Sequence, residues 1–255
     1  IPNMFDAALD STFMGLYVEG EDIAQSDPDI THVHAALRAM ECVIVQDIFL
    51  NETAKFAHVF LPGASFLEKD GTFTNAERRI SPVRKVMRPL AGYADWEVTQ
   101  MLSNALGYPM NYADPSEIMD EIARLTPSFH GVSYSKIDEL GSVQWPCNDE
   151  TPDGTPIMHT EEFMRDNGKG LFMLTEFVAT REKVTPMFPL ILTTGRILAH
   201  YNVGAQTRRT ENVAWHLEDI LEIHPHDAQD RGINNNDKVS IKSRVGETVL
   251  HALVT

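Results

Sequence analysis

The sequence predicts a mixed α/β protein in which a parallel sheet is followed by a β-barrel. Over the first ~110 residues, strand patterns alternate with helix patterns, as in the βαβ units of a parallel sheet. From Phe188 onward, several short strands separated by turn residues replace this alternation and favour a barrel.

Three apolar runs predict the strands of the first region. Residues 13–18 are β-prone, and residues 42–45 and 58–61 are continuous apolar runs, typical of strands covered on both faces. Helix-start signals at residues 26–29 and 51–54 separate these strands. The helix after residue 29 has apolar side chains at helical spacing, namely Val33, Ala36, Leu37 and Met40.

Two further helices are predicted after a polar, turn-rich stretch at residues 68–79. The first begins with Asp95 as its N-cap and ends at Gly107. The second begins with Pro115 at its first helical position. Its buried face is expected to consist of Ile118, Ile122 and Leu125.

The C-terminal region is predicted to contain short strands and one helix. The strands are expected at residues 189–193, 222–224, 238–242 and 247–254, with a tight turn at Gly246, and one strand pattern at residues 171–175 precedes this region. The helix is expected at residues 225–231, with Gly232 as its C-cap.

These patterns divide the chain into three regions. We expect residues 1–130 to form an α/β domain, residues 131–186 an irregular connector with little structure of its own, and residues 187–255 part of a barrel. The chain begins at Ile1 and its last residues have a strand pattern, so we expect an interior piece of a larger subunit.

The composition excludes several classes of partner. Lys and Arg number 21 and Asp and Glu 37, a formal net charge of -16, which disfavours nucleic acid and anionic membranes. No apolar run approaches the ~20 residues that span a bilayer, and no export leader opens the chain. We therefore predict a cytoplasmic protein without a membrane span.

Cysteine and histidine usage predicts no metal ligand in this chain. Two cysteines, Cys42 and Cys147, are too few for an iron–sulfur site, and Cys42 is expected to be a small buried side chain. The pairs His32/His34 and His224/His226 are spaced two apart, so on a helix they point to different sides. Surface or capping roles are predicted for these four histidines.

Acidic and amide side chains follow two of the predicted strands. Glu21 and Asp22 come after the first strand, and Gln46 and Asp47 end the second. Ligands bind at this edge of open α/β sheets, and a carboxylate can accept two parallel hydrogen bonds from the edge of guanine. The alternative is that these acids cap the helices that follow.

The densest polar cluster lies in residues 194–209. Arginine forks bind phosphate or carboxylate in a bidentate manner, and glycine allows close backbone approach. In so acidic a chain, this cluster predicts an anion site. Its members are Thr194, Gly195, Arg196, His200, Tyr201, Gly204, Thr207, Arg208 and Arg209. Residues 77–79 (Glu-Arg-Arg) fit either an anion site or an internal salt bridge.

Four motifs resemble, in order and spacing, the bis-molybdopterin guanine dinucleotide oxidoreductases. They are residues 18–22 (VEGED), 45–54 (VQDIFLNETA), 67–79 (LEKDGTFTNAERR) and 194–202 (TGRILAHYN). The sequence is most similar to the catalytic alpha subunits of cytoplasmic, NAD-dependent molybdenum or tungsten formate dehydrogenases.

The resemblance implies a fold and a set of cofactor contacts. Residues 1 to about 130 would complete a nucleotide-binding third domain, and residues from about 187 would begin a double-psi β-barrel that caps the pterins. The implied contacts are Gly20, Glu21, Asp22, Gln46, Asp47, Lys69, Asp95, Thr194, Gly195, Arg196, Leu198, His200, Tyr201 and Asn202.

The resemblance also implies a reaction. Formate would be oxidised to carbon dioxide at a bis-molybdopterin guanine dinucleotide cofactor that carries Mo or W. Electrons would pass through iron–sulfur clusters to NAD in flavin-containing partner subunits. The family's Cys or selenocysteine metal ligand has no counterpart here, so no catalytic residue is assigned, and the remainder of the subunit would supply it.

Other functions stay open at this point. One is another bis-pterin oxidoreductase of the nitrate reductase type. A second is a metal-free scaffold subunit of the same fold, as in NADH dehydrogenases, and a third is an unrelated α/β module that binds an acidic ligand.

Overall fold

The computed structural model describes all residues from 1 to 255. The chain forms two compact units, Ile1–Met173 and Leu174–Thr255. The predicted mixed α/β class with a parallel sheet is confirmed. The predicted domain limits stay a prediction.

The first unit opens with a three-stranded parallel sheet. Its strands are β1 (Gly15–Glu19), β2 (Cys42–Asp47) and β3 (Val59–Pro62), in the order β1-β2-β3. Val18 pairs with Val45, and Val45 with Phe60, so the carboxyl ends of the strands share one edge. The three strands agree with the predicted ones to within two residues.

Helices cover this sheet and form the first core with it. They are α1 (Pro2–Leu9), α2 (Ile23–Ser26) and α3 (Ile30–Ala39), and a 3₁₀ turn spans Thr53–Phe56. The helical spacing predicted for α3 is confirmed, because its apolar positions are buried. The core combines Phe5, Ala8, Val18, Val33, Ala36, Leu37, Met40, Val43 and Val45.

Cys42 differs from its prediction. It is exposed, because it is the first residue of β2 and lies where the covered part of the strand begins. Cys147 is the buried cysteine, with 0% exposure in the second core.

A second layer of the first unit is antiparallel. It contains β4 (Gly71–Thr74), β5 (Arg79–Val83) and β6 (Val143–Gln144), with α4 (Asp95–Ala105), α5 (Pro115–Leu125) and α6 (Tyr134–Leu140). Its core contains Ile80, Met119, Val132, Ile137, Val143 and Cys147. The β4–β5 hairpin falls in the stretch predicted as turn-rich, because its strands are too short for a clear alternation pattern.

The buried face predicted for α5 is wrong. Met119 and Ala123 are the buried residues of this helix, whereas Leu125 is 69% exposed. Ile118 and Ile122 line a cavity instead of packing into the core.

The expected connector begins with regular structure, since α6 and β6 lie within it.

Arg78 holds the segment that follows β6: its guanidinium donates to the carbonyl oxygens of Trp145, Thr155 and Pro156. It also lies 5.7 Å from the centre of the Trp145 ring. Arg79 pairs with Glu77 at 3.1 Å. The internal salt bridge is therefore the alternative that the structure supports for residues 77–79.

The second unit contains one mixed sheet and one helix. The strands β7 (Ile220–Ile223), β8 (Lys238–Lys242) and β9 (Glu247–Val254) have the order β7-β9-β8. The helix α7 (Pro225–Arg231) ends at Gly232, whose φ is 66°. The bounds predicted for β8, β9 and α7 are confirmed, and closure into a barrel stays a prediction.

Two predicted strands are wrong. Residues 171–175 and 189–193 form no strand, because neither has a partner strand to complete its backbone hydrogen bonds. Their apolar side chains are exposed: Leu174 is 99% and Ile191 is 82% accessible.

The predicted surface or capping role agrees with the structure for His32 and His224, whereas His34 is half-buried and bonds to the Ala24 carbonyl oxygen. His224 is the N-cap of α7 and accepts a hydrogen bond from the His226 N–H. His32 pairs with Asp6 at 3.1 Å on the surface.

None of the helices combines the length and apolar composition that crossing a membrane would require.

Asp22 joins the end of β1 to the turn that follows β2. It is 3% exposed, and its Oδ1 accepts from the Thr53 backbone N–H at 2.9 Å and from the Thr53 hydroxyl at 2.7 Å. The Gln25 side chain and, more weakly, the Glu52 N–H donate to Oδ2. A buried carboxylate with several donors stabilises the fold because no charge is left without a partner.

We therefore expect Asp22→Ala to lower the free energy of unfolding of the full-length protein by about 1–3 kcal/mol, because the buried Thr53 donors lose their acceptor. Glu21→Ala is the matched control. Glu21 is exposed and accepts only from Ser26 Oγ, so a change within about 0.5 kcal/mol is expected. Chemical unfolding followed by circular dichroism measures both, and equal losses would contradict the role of Asp22.

Candidate functional site

The carboxyl ends of β1 and β2 meet a chain of hydrogen-bonded side chains. Gln46 is 1% exposed and donates through Nε2 to Asp95 Oδ1 at 3.0 Å. The Tyr17 hydroxyl donates to Gln46 Oε1. Both ends of the Gln46 amide are used inside the protein, which fixes its orientation.

Asp95 connects three further parts of the chain. Its Oδ1 also accepts from the Ala64 N–H at 2.8 Å, and its Oδ2 forms an ion pair with Lys69. The Asp95 and Lys69 side chains are 15% and 26% exposed, so this pair is better shielded from water than a surface pair. The structure thus brings together three predicted site residues, Gln46, Lys69 and Asp95.

Asp95 is not the N-cap of α4, contrary to the prediction. Ala94 occupies that position, and Glu97 accepts the Ala94 N–H at 2.7 Å. Asp95 is the first helical residue, and its side chain is free of the capping role to bind Gln46 and Lys69.

Gly20 and Asp47 lie at the same edge of the sheet. Gly20 has φ 64° and donates its N–H to the Gln46 carbonyl oxygen at 2.9 Å. Asp47 accepts from the Phe49 N–H at 3.1 Å and from Asn51 Nδ2 at 3.0 Å. These bonds give the Asp47 carboxylate a fixed position at the strand end.

Glu21 and Asp22 differ in accessibility. The Glu21 side chain is exposed, whereas the buried Asp22 carboxylate accepts from protein donors on both oxygens. Asp22 is also the N-cap residue of α2, but its side chain makes no capping bond to that helix.

A cavity of about 490 Å³ opens beside the Lys69–Asp95 pair. Its polar side is formed by Glu19, Lys69, Asp95 and Thr99, and its apolar side is largely aromatic. The apolar lining includes Phe73, Trp96, Met110, Tyr112, Ile118, Ile122 and Tyr134. A concave, mostly apolar surface with a few polar groups is the usual form of a small-molecule site.

The surroundings of the cavity raise the pKa of two side chains of β1. Partial burial raises the pKa of Glu19, and the nearby Asp95 carboxylate raises it further, while Lys69 lowers it. Burial also raises the pKa of the Tyr17 hydroxyl, so this group stays a hydrogen-bond donor at neutral pH.

In the second unit, residues 194–202 form no regular element. Arg196 is exposed and makes no hydrogen bond or ion pair within residues 1–255. Thr194 and Gly195 are exposed beside it, and Leu198 is 98% exposed. This part of the loop is therefore accessible to a ligand.

His200 holds the following part of the loop. It is 6% exposed; its Nδ1 lies 3.2 Å from Thr207 Oγ1, and its Nε2 lies 2.9 Å from the His216 carbonyl oxygen. The Tyr201 N–H also donates to Thr207 Oγ1. The Tyr201 side chain is 77% exposed, and Asn202 has φ 49°.

The other arginines of this cluster have protein partners. Arg208 forms an ion pair with Asp219 at 3.0 Å, and Arg209 donates to the Ala205 carbonyl oxygen. A Cβ on Gly204 would lie 2.6 Å from the Arg208 side chain. Gly204 therefore allows the Arg208 side chain to pack against the loop. The close approach at this glycine is made by a side chain of the protein, whereas the sequence predicted a ligand.

Sequence reasoning missed Tyr17, Glu19 and Thr99. Thr99 lines the cavity, and its Oγ1 lies 3.5 Å from Glu19 Oε2. Tyr17 and Glu19 alternate with apolar residues in β1, so they share one face of the strand. The alternation of polar and apolar residues in β1 could have indicated that Tyr17 and Glu19 belong to the site.

Each unit by itself presents groups of a kind that bind part of an anionic nucleotide. The exposed Arg196 guanidinium has no internal partner, which suits a phosphate. The first unit offers carboxylates, a lysine and an aromatic cavity, which suit a heterocyclic base. No group of three or more His, Cys, Asp or Glu in residues 1–255 is arranged to hold a metal ion.

Two family models match the chain. Residues 1–105 match the model described as molybdopterin oxidoreductase. Residues 190–255 match the model described as molybdopterin dinucleotide binding domain.

Curated relatives are similar over nearly the whole chain. The F420-dependent formate dehydrogenase subunit alpha of Methanocaldococcus jannaschii is 41% identical over 259 residues, which cover 100% of this chain and 38% of that protein. The F420-dependent formate dehydrogenase 1 subunit alpha of Methanococcus maripaludis is 43% identical over 244 residues, covering 94% and 36%. The chain thus spans less than two fifths of these relatives.

A solved structure shares the fold. Acetylene hydratase from Pelobacter acetylenicus superimposes with a TM-score of 0.63 at 12% sequence identity, over 99% of this chain and 37% of that protein. Residues 1–105 are thus similar to the molybdopterin oxidoreductase model and residues 190–255 to the molybdopterin dinucleotide binding model, and the solved structure supports the shared fold.

Proposed function

We propose that this chain is the part of a molybdopterin-dependent formate dehydrogenase that holds the dinucleotide cofactor. The observation that carries the proposal is the shielded Gln46–Asp95–Lys69 group beside an aromatic cavity, within the region that matches the molybdopterin oxidoreductase model. The names of two relatives about 40% identical support formate as the substrate.

In the first unit, we assign contact and positioning roles to different residues. Lys69, Asp95, Asp47, Glu21 and the Gly20 backbone would contact the cofactor. Gln46 and Asp22 would act as positioning residues, because they are only 1% and 3% exposed and bond to protein partners.

In the second unit, Arg196 would bind an anionic group of the cofactor. Thr194 and Gly195 would offer backbone and hydroxyl groups beside it, and Leu198, Tyr201 and Asn202 would add contacts from the same exposed loop. His200 would act by holding this loop through Thr207 and His216.

The bound cofactor, with Mo or W, would supply the two-electron redox chemistry, and this chain would supply binding and orientation. Formate would lose two electrons and a proton to become carbon dioxide. The metal ligand would come from the remainder of the subunit, and iron–sulfur and flavin groups of partner subunits would carry the electrons onward.

The prediction about the electron acceptor is revised. The expected NAD linkage finds no support in the relatives, which are named F420-dependent. We therefore propose F420 as the acceptor. The cytoplasmic location stays a prediction.

The first test is an activity assay of the purified full-length complex. We expect formate oxidation with F420, little reduction of NAD, and release of molybdenum or tungsten with a guanine nucleotide on denaturation. Nitrate reduction without formate oxidation would favour the nitrate reductase alternative. Absence of both metal and guanine nucleotide would favour the scaffold alternative.

We expect Arg196→Ala to weaken cofactor retention about tenfold or more, because a charge-assisted hydrogen bond contributes about 1.5–3 kcal/mol. Elemental analysis of the purified full-length variant measures the metal content. Arg181→Ala is the matched control, since Arg181 is also exposed and without a protein partner. Unchanged metal content in Arg196→Ala would contradict the assignment.

We expect Asp95→Asn to lower the guanine nucleotide content, because the amide cannot accept from Gln46, Ala64 and Lys69 together. Asp138→Asn is the control, since it removes only an exposed ion pair with Arg84. A thermal unfolding midpoint is measured in parallel. If nucleotide content is unchanged although the midpoint falls, Asp95 has only a structural role.

A further inference from the structure

A basic cleft lies beside α3 and the 3₁₀ turn that follows β2. The cleft, of about 500 Å³, is lined by His34, Leu37, Arg38, Glu52, Lys55, Phe56 and His58. Arg38 is in the last turn of α3, just before β2, and His58 immediately precedes β3. The length of β2 separates Arg38 and His58 from Asp47 by roughly 16 Å, whereas Glu52, at the other end of the cleft, lies next to Asp22.

The cleft carries an uncompensated positive charge in an acidic chain. Arg38 is exposed and forms no hydrogen bond or ion pair, although Asp and Glu outnumber Lys and Arg by 37 to 21. Glu52 is the carboxylate in the lining, and it is paired with Lys55 at 2.5 Å. Arg38 therefore remains available to an external anion.

The aromatic floor of the cleft orients this arginine. The Arg38 guanidinium carbon lies 5.0 Å from the centre of the Phe56 ring. The His34 ring lies 4.8 Å from the same ring, and its Nε2 contacts the Ala24 carbonyl oxygen at 3.2 Å. Stacking on an aromatic face leaves the N–H fork of arginine free to bind an oxyanion.

His58 adds a second hydrogen-bond donor, its ring nitrogen Nε2. The Val43 N–H donates to His58 Nδ1 at 3.0 Å, so Nδ1 is the acceptor and the neutral ring carries its proton on Nε2. The cleft thus offers an arginine fork, a lysine ammonium and an imidazole N–H.

We propose that this basic cleft binds a small phosphate-bearing ligand. A phosphate monoester has three oxygens that can accept from several converging donors, whereas a carboxylate is satisfied by one arginine fork. The volume suits a small molecule, since such sites measure roughly 300–1,000 Å³. The half-buried Phe56 ring gives the organic part of the ligand an apolar contact.

The test is isothermal titration calorimetry of the full-length protein with phenyl phosphate and inorganic phosphate, and with benzoate as the carboxylate arm. We expect both phosphates to bind, phenyl phosphate more tightly, and benzoate at least about tenfold more weakly. Arg38→Gln should weaken phosphate binding about tenfold or more.

Two further variants separate a specific site from general damage. Arg88→Gln is the matched control, since Arg88 is an exposed arginine without a partner outside the cleft, and binding should be unchanged. Glu52→Gln should strengthen phosphate binding several-fold, because it removes the competing carboxylate and releases Lys55. A misfolded variant would not bind more tightly.

The proposal is wrong if Arg38→Gln leaves phosphate binding unchanged or if Arg88→Gln weakens it equally. It is also wrong if benzoate or an acidic peptide binds while the phosphates do not. Metal content is measured in Arg38→Gln and should match the unmodified protein, so failure here is distinguishable from failure of the proposed function.

Discussion

The candidate site of the first unit depends on the hydrogen bonds and the ion pair of the Asp95 carboxylate. It joins the end of β2 through Gln46, the segment after β3 through Ala64, and the polar stretch before β4 through Lys69. Removing a carboxylate from water is costly, and these donors offset that cost while they hold the first turn of α4 next to Gln46, Ala64 and Lys69. The cavity beside α4 follows from this arrangement, because Trp96 and Thr99 lie on the first turns of the same helix.

The two neighbouring acids after β1 have different roles, since one carboxylate stabilises the fold and the other is accessible to a ligand. Asp22 is buried and ties the end of β1 to Thr53, whereas Glu21 beside it is exposed. At the other edge of the sheet, Arg38 lacks a carboxylate partner in a chain with an excess of acids. The availability of a charged group thus depends on its neighbours: protein donors hold Asp22, whereas Arg38 in the basic cleft has no acidic partner.

Local patterns predicted much of the fold, and they failed where burial depends on distant residues. The α7 helix was predictable because Pro225 and Gly232 mark its ends. The face of α5 was not, since Ile118 and Ile122 line a cavity formed with other elements. Residues 189–193 have the composition of a strand, but a strand also needs a partner, which no local pattern can show. Tyr17 was missed because its partner Gln46 is 29 residues away.

The sequence by itself determined the alternation of strands and helices in residues 15–62, the elements α7, β8 and β9, the acidic balance and the four motifs, because periodicity, composition and residue order are local properties. Only the tertiary structure decided which of those motif residues are accessible. It buried Asp22 and Gln46 among protein partners and left Arg196 without one, and outside the motifs it left Arg38 without an acidic partner. The reason is physical: whether a polar group can bind a ligand depends on which distant donors and acceptors already satisfy it.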